Sequence, residues 1–295
     1  MIQAFQIIAH TISVLKIVKL IYLMTMKELN GAELAGFIKE RQAKQVRALR
    51  QAWHINPCLA IVTDVENPVI ETYMRLKQRY GADILIDVEI HRVSAGGALE
   101  VIQELNNRDD VQGIILQLPI SNYDQTEELL ESIREDKDVD GLRKRAIFQA
   151  ATPTAISWLL AGYGVDLKDK KVAIVGRGRL VGAPLEKMWL KSDVDVTVFE
   201  KGDDLSQLIN YDIIVSATGV PGLITGQMIK PKAVVVDAGT ASENGKIVGD
   251  VSEDVRLRGD VIITPKKGGV GPLTVSALFD NVITACLKIA NQSKN

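Results

Sequence analysis

Eight short runs rich in β-branched residues recur along the chain: CLAIVTDV, ADILIDVEIH, GIILQL, KVAIVG, DVTVFE, DIIVSAT, AVVVDAG and DVIITP. Between most of them lie segments with helical spacing, such as GALEVIQELNN, TEELLESIRE and APLEKMWLKS. Strands that are apolar almost throughout have to be covered on both faces, and helices alternating with strands supply that cover in a parallel sheet. The pattern restricts the chain to the α/β class.

A break interrupts the alternation at 141–153, GLRKRAIFQAATP, a basic patch without periodicity. A helix follows, TAISWLLAGYG, and then strand, glycine loop, helix and strand, the layout of a dinucleotide-binding unit. The last segment, PLTVSALFDNVITACLKIANQ, reads as a long amphipathic helix with Thr274 near its start. The expectation is two domains, 26–145 and 150–272, with the helix 274–292 completing the first. The cleft between them is the default site.

Composition removes several other classes. A formal net charge of −2 gives no electrostatic reason for a nucleic-acid or anionic-membrane partner. Cys58 and Cys286 sit in apolar surroundings without metal-ligand spacing, which favours a reduced cytoplasmic protein. His10, His54 and His91 are scattered, so no zinc site or histidine-based triad is expected. Residues 1–25 are apolar, yet Gln3, Gln6, His10, Lys16 and Lys19 interrupt them too often for a membrane span. They read either as an over-extended start or as an amphipathic helix.

In KKVAIVGRGRLVGAPLEKMWL, Gly176, Gly178 and Gly182 stand between a strand and a helix. Such glycines permit a tight turn and close approach of backbone to phosphate, at a helix end whose free N–H groups favour an anion. The last glycine comes one residue later than the usual G-x-G-x-x-G spacing. Glu200 closes the following strand, where a carboxylate suits the 2′-hydroxyl of NAD. Arg177, Arg179 and Lys201 pull toward the 2′-phosphate of NADP, and the sequence leaves both cofactors open.

Tyr73 and Lys77, four apart in ENPVIETYMRLKQRYG, share a helix face that Pro68 allows to begin. Taken alone, the pair reads either as an ordinary helix surface or as two groups aimed into a cleft.

The motifs together resemble one family. GIILQLPI, DKDVDGL, KKVAIVGRGRLVGAP, DIIVSATGVPGLITGQMIKPKAVVVDAG, GDV and TPKKGGVGPLTV stand in the order found in the bifunctional methylenetetrahydrofolate dehydrogenase/methenyltetrahydrofolate cyclohydrolase family, and the similarity runs from about residue 28 onward. The resemblance implies an N-terminal α/β folate domain, a C-terminal Rossmann-type NAD(P)-binding domain, a cleft between them and a homodimer. It implies oxidation of 5,10-methylenetetrahydrofolate with NADP, or NAD in some members, and hydrolysis of the methenyl product to 10-formyltetrahydrofolate.

The family's essential tyrosine and lysine match Tyr73 and Lys77, and its partner glutamine matches Gln117. Asp140 of KDVDG matches the carboxylate that receives the pterin's N–H donors, whereas Asp138 reads as a turn or cap residue. Gly268, Gly269, Gly271 and Pro272 would form a backbone wall beside the pterin, with Thr274 capping the last helix. Ser216, Thr218 and Gly219 would line the nicotinamide-ribose pocket. Val181 and Thr240 complete the cofactor-binding set.

Four departures from the family stand out: Ile70 and Gly178 where serine is usual, Glu200-Lys201 where His-Ser is usual, and a shortened linker with Ala151 in place of cysteine. They leave room for a dehydrogenase with weak or lost cyclohydrolase. Another Rossmann dehydrogenase, of the shikimate type, and a non-catalytic nucleotide-binding module are the remaining alternatives.

Overall fold

The computed structural model describes residues 28–243 and 246–292; the 1–25 extension lies outside the described residues. The first sheet is parallel, with order β2-β1-β3, and consists of β1 (Cys58–Thr63), β2 (Asp87–Arg92) and β3 (Gly113–Leu116). All six residues of the central β1 are buried, as a strand covered on both faces requires. Its helices are α1 (Gly31–Trp53), α2 (Pro68–Ile84), α3 (Ala98–Asn107) and α4 (Thr126–Ser132).

The start of α2 follows from its sequence. Asn67 Oδ1 accepts the N–H of Val69 at 2.8 Å, and Pro68 occupies the first turn, where a missing N–H costs nothing. The helix runs further than the apolar pattern suggests. Residues 82–84, expected to open a strand, instead form its last turn, because Ile84 completes the buried face with Ile70 and Met74. Ile70 therefore packs in the core.

The second domain contains α5 (Ala151–Gly162), β4 (Val172–Val175), α6 (Gly182–Leu190), β5 (Val196–Phe199), β6 (Ile213–Ser216) and β7 (Val234–Asp237). Beyond β7, a short antiparallel hairpin of β8 (Ala241–Glu243) and β9 (Lys246–Val248) precedes α7 (Glu253–Arg256) and β10 (Ile262–Ile263). Five of these strands form a parallel sheet in the order β10-β7-β6-β4-β5. The strand order reverses at β4, so the loops that follow β4 and β6 diverge and open a crevice at the carboxyl end of the sheet.

The last helix, α8 (Val270–Gln292), belongs to both cores. Val270 and Leu273 pack with α5 and the β4 side of the large sheet. Phe279, Val282, Ile283 and Cys286 pack with Leu59, Ile61 and Met74 of the first domain. Burying a side chain of this size is worth roughly 1.5–3 kcal/mol, so α8 ties the two domains together. It begins at Val270, four residues ahead of the expected 274.

Candidate active site

Lys77 Nζ donates to Gln117 Oε1 at 2.8 Å. Gln117 immediately follows β3, and its N–H donates to Val62 O at 2.8 Å, extending the pairing with β1. Its own amide nitrogen is held by Leu118 O at 3.0 Å, which turns the amide oxygen toward the lysine. Burial pushes the Lys77 ammonium below the ordinary lysine range, while the negative charge of Asp140 works in the opposite direction. Burial likewise raises the Asp140 carboxyl, and Lys77 pulls it back down. Tyr73, one turn before Lys77, has a phenol raised by burial and no hydrogen-bond partner among the described residues.

The loop carrying Asp140 is fixed from three sides. Asp138 pairs as a parallel bridge with Ile114, and its carboxylate accepts the N–H groups of Leu142 (3.4 Å) and Arg143 (3.1 Å). It thus closes the turn around Asp140, and burial pushes its carboxyl up to about 6. Gly141 has φ +68°, and a Cβ there would lie 2.8 Å from Phe148 O, so only glycine fits. Asn281 of α8 then donates to Val139 O at 2.8 Å and to Gln149 O at 2.9 Å. Lys137, in the same motif, caps the end of α3 through Leu105 O and Arg108 O at 2.9 and 2.6 Å.

The glycine turn before α8 abuts α1. Gly268, at φ +82°, accepts the N–H of Ala32 at 2.9 Å, and a Cβ on Gly31 would fall 1.9 Å from Gly269 O. Gly271 faces open space, and Pro272 sits in the first turn of α8. The expected cap at Thr274 is corrected. Its hydroxyl donates back to Val270 O at 3.3 Å inside the helix, because the helix has already begun at Val270.

In the glycine loop the three positions differ. Gly176 has φ +95°, and a Cβ there would meet Ala217 O at 2.8 Å. A Cβ on Gly182 would meet Gly176 O at 1.9 Å, so α6 starts in contact with the end of β4. Gly178 would meet nothing within 4 Å. Val181 is the N-cap residue of α6 and provides no side-chain cap. Ala183 N–H donates to Gly178 O at 3.1 Å and Pro184 has no N–H, so in the first turn the Gly182 N–H is the group left to another acceptor. Turn, close packing and open approach are the three features a dinucleotide phosphate needs, and this loop fits one.

The loop's charged residues are largely paired. Arg177 donates to both oxygens of Glu186, at 2.9 and 3.2 Å, and reaches Glu200 at 3.5 Å. Arg179 pairs with Glu127 of α4, an ionic contact from the loop to the first domain. Lys201 is exposed.

The expectation for Ser216 is corrected as well. It is fully buried, and its hydroxyl donates to Asp250 Oδ2 at 2.7 Å, so it presents no side chain to the crevice. The same oxygen accepts the N–H of Thr218 at 2.7 Å. Thr218 Oγ1 accepts the N–H of Val220 at 3.1 Å, Gly219 has φ +69°, and Thr240 is exposed nearby. Asp237 accepts Arg256 at 2.5 Å and the N–H of Asp250 at 3.0 Å, which holds the β6 and β7 ends together.

The structure thus joins Lys77, Gln117 and Asp140 in one electrostatic set with Tyr73 on the same helix, and it gathers the glycine loop and the Thr218–Gly219 turn at the crevice. Sequence reasoning passes over Asn281, Asp250, Glu186 and Glu127. The GDV motif was the one signal that pointed to Asp250.

A half-buried lysine–amide–carboxylate set in one α/β domain, joined to a Rossmann-type unit with a glycine loop shaped for a phosphate, defines a two-domain nicotinamide-dinucleotide enzyme. The chain belongs to the tetrahydrofolate dehydrogenase/cyclohydrolase family: residues 29–140 match its catalytic domain and residues 150–290 its NAD(P)-binding domain. It is accordingly a methylenetetrahydrofolate dehydrogenase and methenyltetrahydrofolate cyclohydrolase. It is 34% identical over 278 residues to the bifunctional protein FolD of Staphylococcus aureus strain MRSA252, covering 89% of this chain and 97% of that protein.

Among solved structures it is similar to the bifunctional FolD enzyme of Campylobacter jejuni, with TM-score 0.83, 32% identity, and coverage of 90% of this chain and 99% of that one. The Trypanosoma brucei enzyme, complexed with NADP and an inhibitor, gives TM-score 0.83 and 28% identity, covering 90% and 98%.

Proposed function

We propose that the two reactions are divided between the two halves of the cleft, with Lys77 serving the hydrolysis and the crevice of the second domain holding the dinucleotide. The observation that carries this reading is the 2.8 Å contact of Lys77 with Gln117 inside the field of Asp140. In hydrolysis, water adds to the methenyl carbon and loses one proton, leaving a hydroxyl there. That hydroxyl's proton then passes to N5 as the bond from the carbon to N5 breaks, which leaves the formyl group on N10. Lys77 assists the attack by taking the proton. A lysine at its ordinary pKa is almost wholly protonated at neutral pH, so burial has to make the neutral form accessible. The methenyl substrate is itself cationic, and its charge pushes Lys77 the same way.

Asp140 receives the pterin's 2-amino and ring N–H donors in two parallel hydrogen bonds, Tyr73 lies along the aromatic portion, and Gly269, Gly271 and Pro272 with the first turn of α8 wall the site. When held in the crevice, the dinucleotide would supply the hydride acceptor for the methylene carbon. That step needs no acid or base from the protein, which only has to hold the two partners in register. Gly176, Gly178, Val181 and Gly182 hold the phosphates, and Thr218, Gly219 and Thr240 border the nicotinamide end.

The enzyme acts as a homodimer in the cytoplasm; the family supports the dimer, and the free buried thiols of Cys58 and Cys286 fit a reducing compartment. The test is to follow reduced nicotinamide and methenyltetrahydrofolate together during turnover of 5,10-methylenetetrahydrofolate. Reduction without lasting methenyl accumulation is expected. A lack of reduction with either NAD or NADP overturns the reading.

A further inference from the structure

The adenosine end of the crevice is more acidic than the sequence suggests. Glu200 stands just after β5, where the adenosine ribose lies in a Rossmann-type unit. Among the described residues Arg177 is the cation that pairs with it, and its guanidinium is already occupied. Nε and Nη2 donate to the two oxygens of Glu186 at 2.9 and 3.2 Å, and Nη1 lies 3.5 Å from Glu200 Oε1. Asp203 adds another carboxylate, accepting the N–H of Glu200 at 2.7 Å. Arg179 is turned away, paired with Glu127 across the cleft. Lys201 is left as an exposed charge beside Glu200, open to screening by salt.

We propose that the Arg177–Glu186–Glu200 cluster makes this chain bind NAD more tightly than NADP, a proposal that rests on the reading of the glycine loop as the dinucleotide site. A ribose 2′-hydroxyl donates a hydrogen bond to the Glu200 carboxylate. A 2′-phosphate carries up to two negative charges at neutral pH and has nothing to donate to it. To receive that phosphate, Arg177 has to surrender a bidentate pair with Glu186 and stand beside a second carboxylate. The discrimination is a repulsion built against one ligand as much as an attraction for the other. NADP remains a cofactor, bound at a cost.

Calorimetric titration of NAD and of NADP, without folate, tests the proposal on the wild-type enzyme and on Glu200→Gln and Glu186→Gln. The wild type is expected to bind NAD about tenfold or more tightly than NADP. Glu200→Gln removes the repulsion and Glu186→Gln frees Arg177, so each tightens NADP and narrows the ratio by about tenfold. Glu200 is exposed, so its variant folds even if Glu186→Gln does not. Equal or tighter NADP binding by the wild type overturns the proposal, as does a ratio that Glu200→Gln leaves unchanged. If neither dinucleotide binds the wild type, the assignment of the glycine loop fails with it.

Discussion

Lys77 and Gln117 stand 40 residues apart in the chain and meet at 2.8 Å, joining the middle of α2 to the end of β3. The contact places a lysine with a lowered pKa against a neutral acceptor. A carboxylate in the place of Gln117 would hold the proton on the lysine; an amide orients the side chain without doing so.

The pH profile of the cyclohydrolase follows from that choice. The rate should rise with pH as Lys77 loses its proton, and this rise should fall below the ordinary lysine value of about 10.4. Gln117→Glu adds a negative charge that favours the ammonium, so the rising limb moves to higher pH. Hydrolysis of supplied methenyltetrahydrofolate across a pH series measures the shift. A profile that does not move removes Lys77 from the proton transfer.

Asp138 predicts a pH-dependent stability. Its carboxyl is pushed up to about 6, above its unfolded value, so the folded state binds the proton more tightly. That contribution is fully present below the unfolded pKa of about 3.9 and is lost as pH rises through about 6. Asp138→Asn removes it. The stability of the wild type relative to the variant should fall by on the order of 3 kcal/mol between those limits, read from urea midpoints.

Asn281 holds the Asp140 loop from α8 through Val139 O and Gln149 O. Asn281→Leu leaves both carbonyls without this donor and should cost about 1–3 kcal/mol of stability. Because the loop carries Asp140, KM for the folate should rise while kcat of the dehydrogenase changes little. Steady-state kinetics on variant protein confirmed as folded separate the two effects.

The glycines of the phosphate loop should respond unequally to alanine. Gly182→Ala drives a Cβ to 1.9 Å from Gly176 O and forces the start of α6 away from β4. A loss of more than about 2 kcal/mol is expected, together with loss of dinucleotide binding. Gly178→Ala meets nothing within 4 Å, so the unfolding midpoint should stay within about 1 kcal/mol of wild type. Chemical denaturation of the two variants gives the comparison.

The α/β class and the glycine loop were legible because they depend on local signals: strand periodicity, helix starters such as Asn67-Pro68, and closely spaced glycines. The beginning of α8 was not, since Val270-Gly271-Pro272 follows two glycines and contains a third, and the helix starts there because Val270 and Leu273 are buried against α5. The turn of α2 at 82–84 was hidden for a related reason, as an isoleucine suits a strand or a buried helix face equally. Ser216 misled because periodicity placed it at a strand end but could not show that Asp250, 34 residues later, takes its hydroxyl. Asn281 carries no sequence signal at all. Its role exists only once α8 packs against the Asp140 loop.

The most direct test of the division of labour is Lys77→Met, assayed with 5,10-methylenetetrahydrofolate while reduced nicotinamide and methenyltetrahydrofolate are followed together. The half-buried lysine gives way to an apolar side chain of similar length, so the fold should hold. Nicotinamide reduction is predicted to continue while methenyltetrahydrofolate accumulates, with hydrolysis lowered by about 10²-fold or more. Continued formation of 10-formyltetrahydrofolate at the wild-type rate would contradict the assignment of Lys77 to the hydrolytic step.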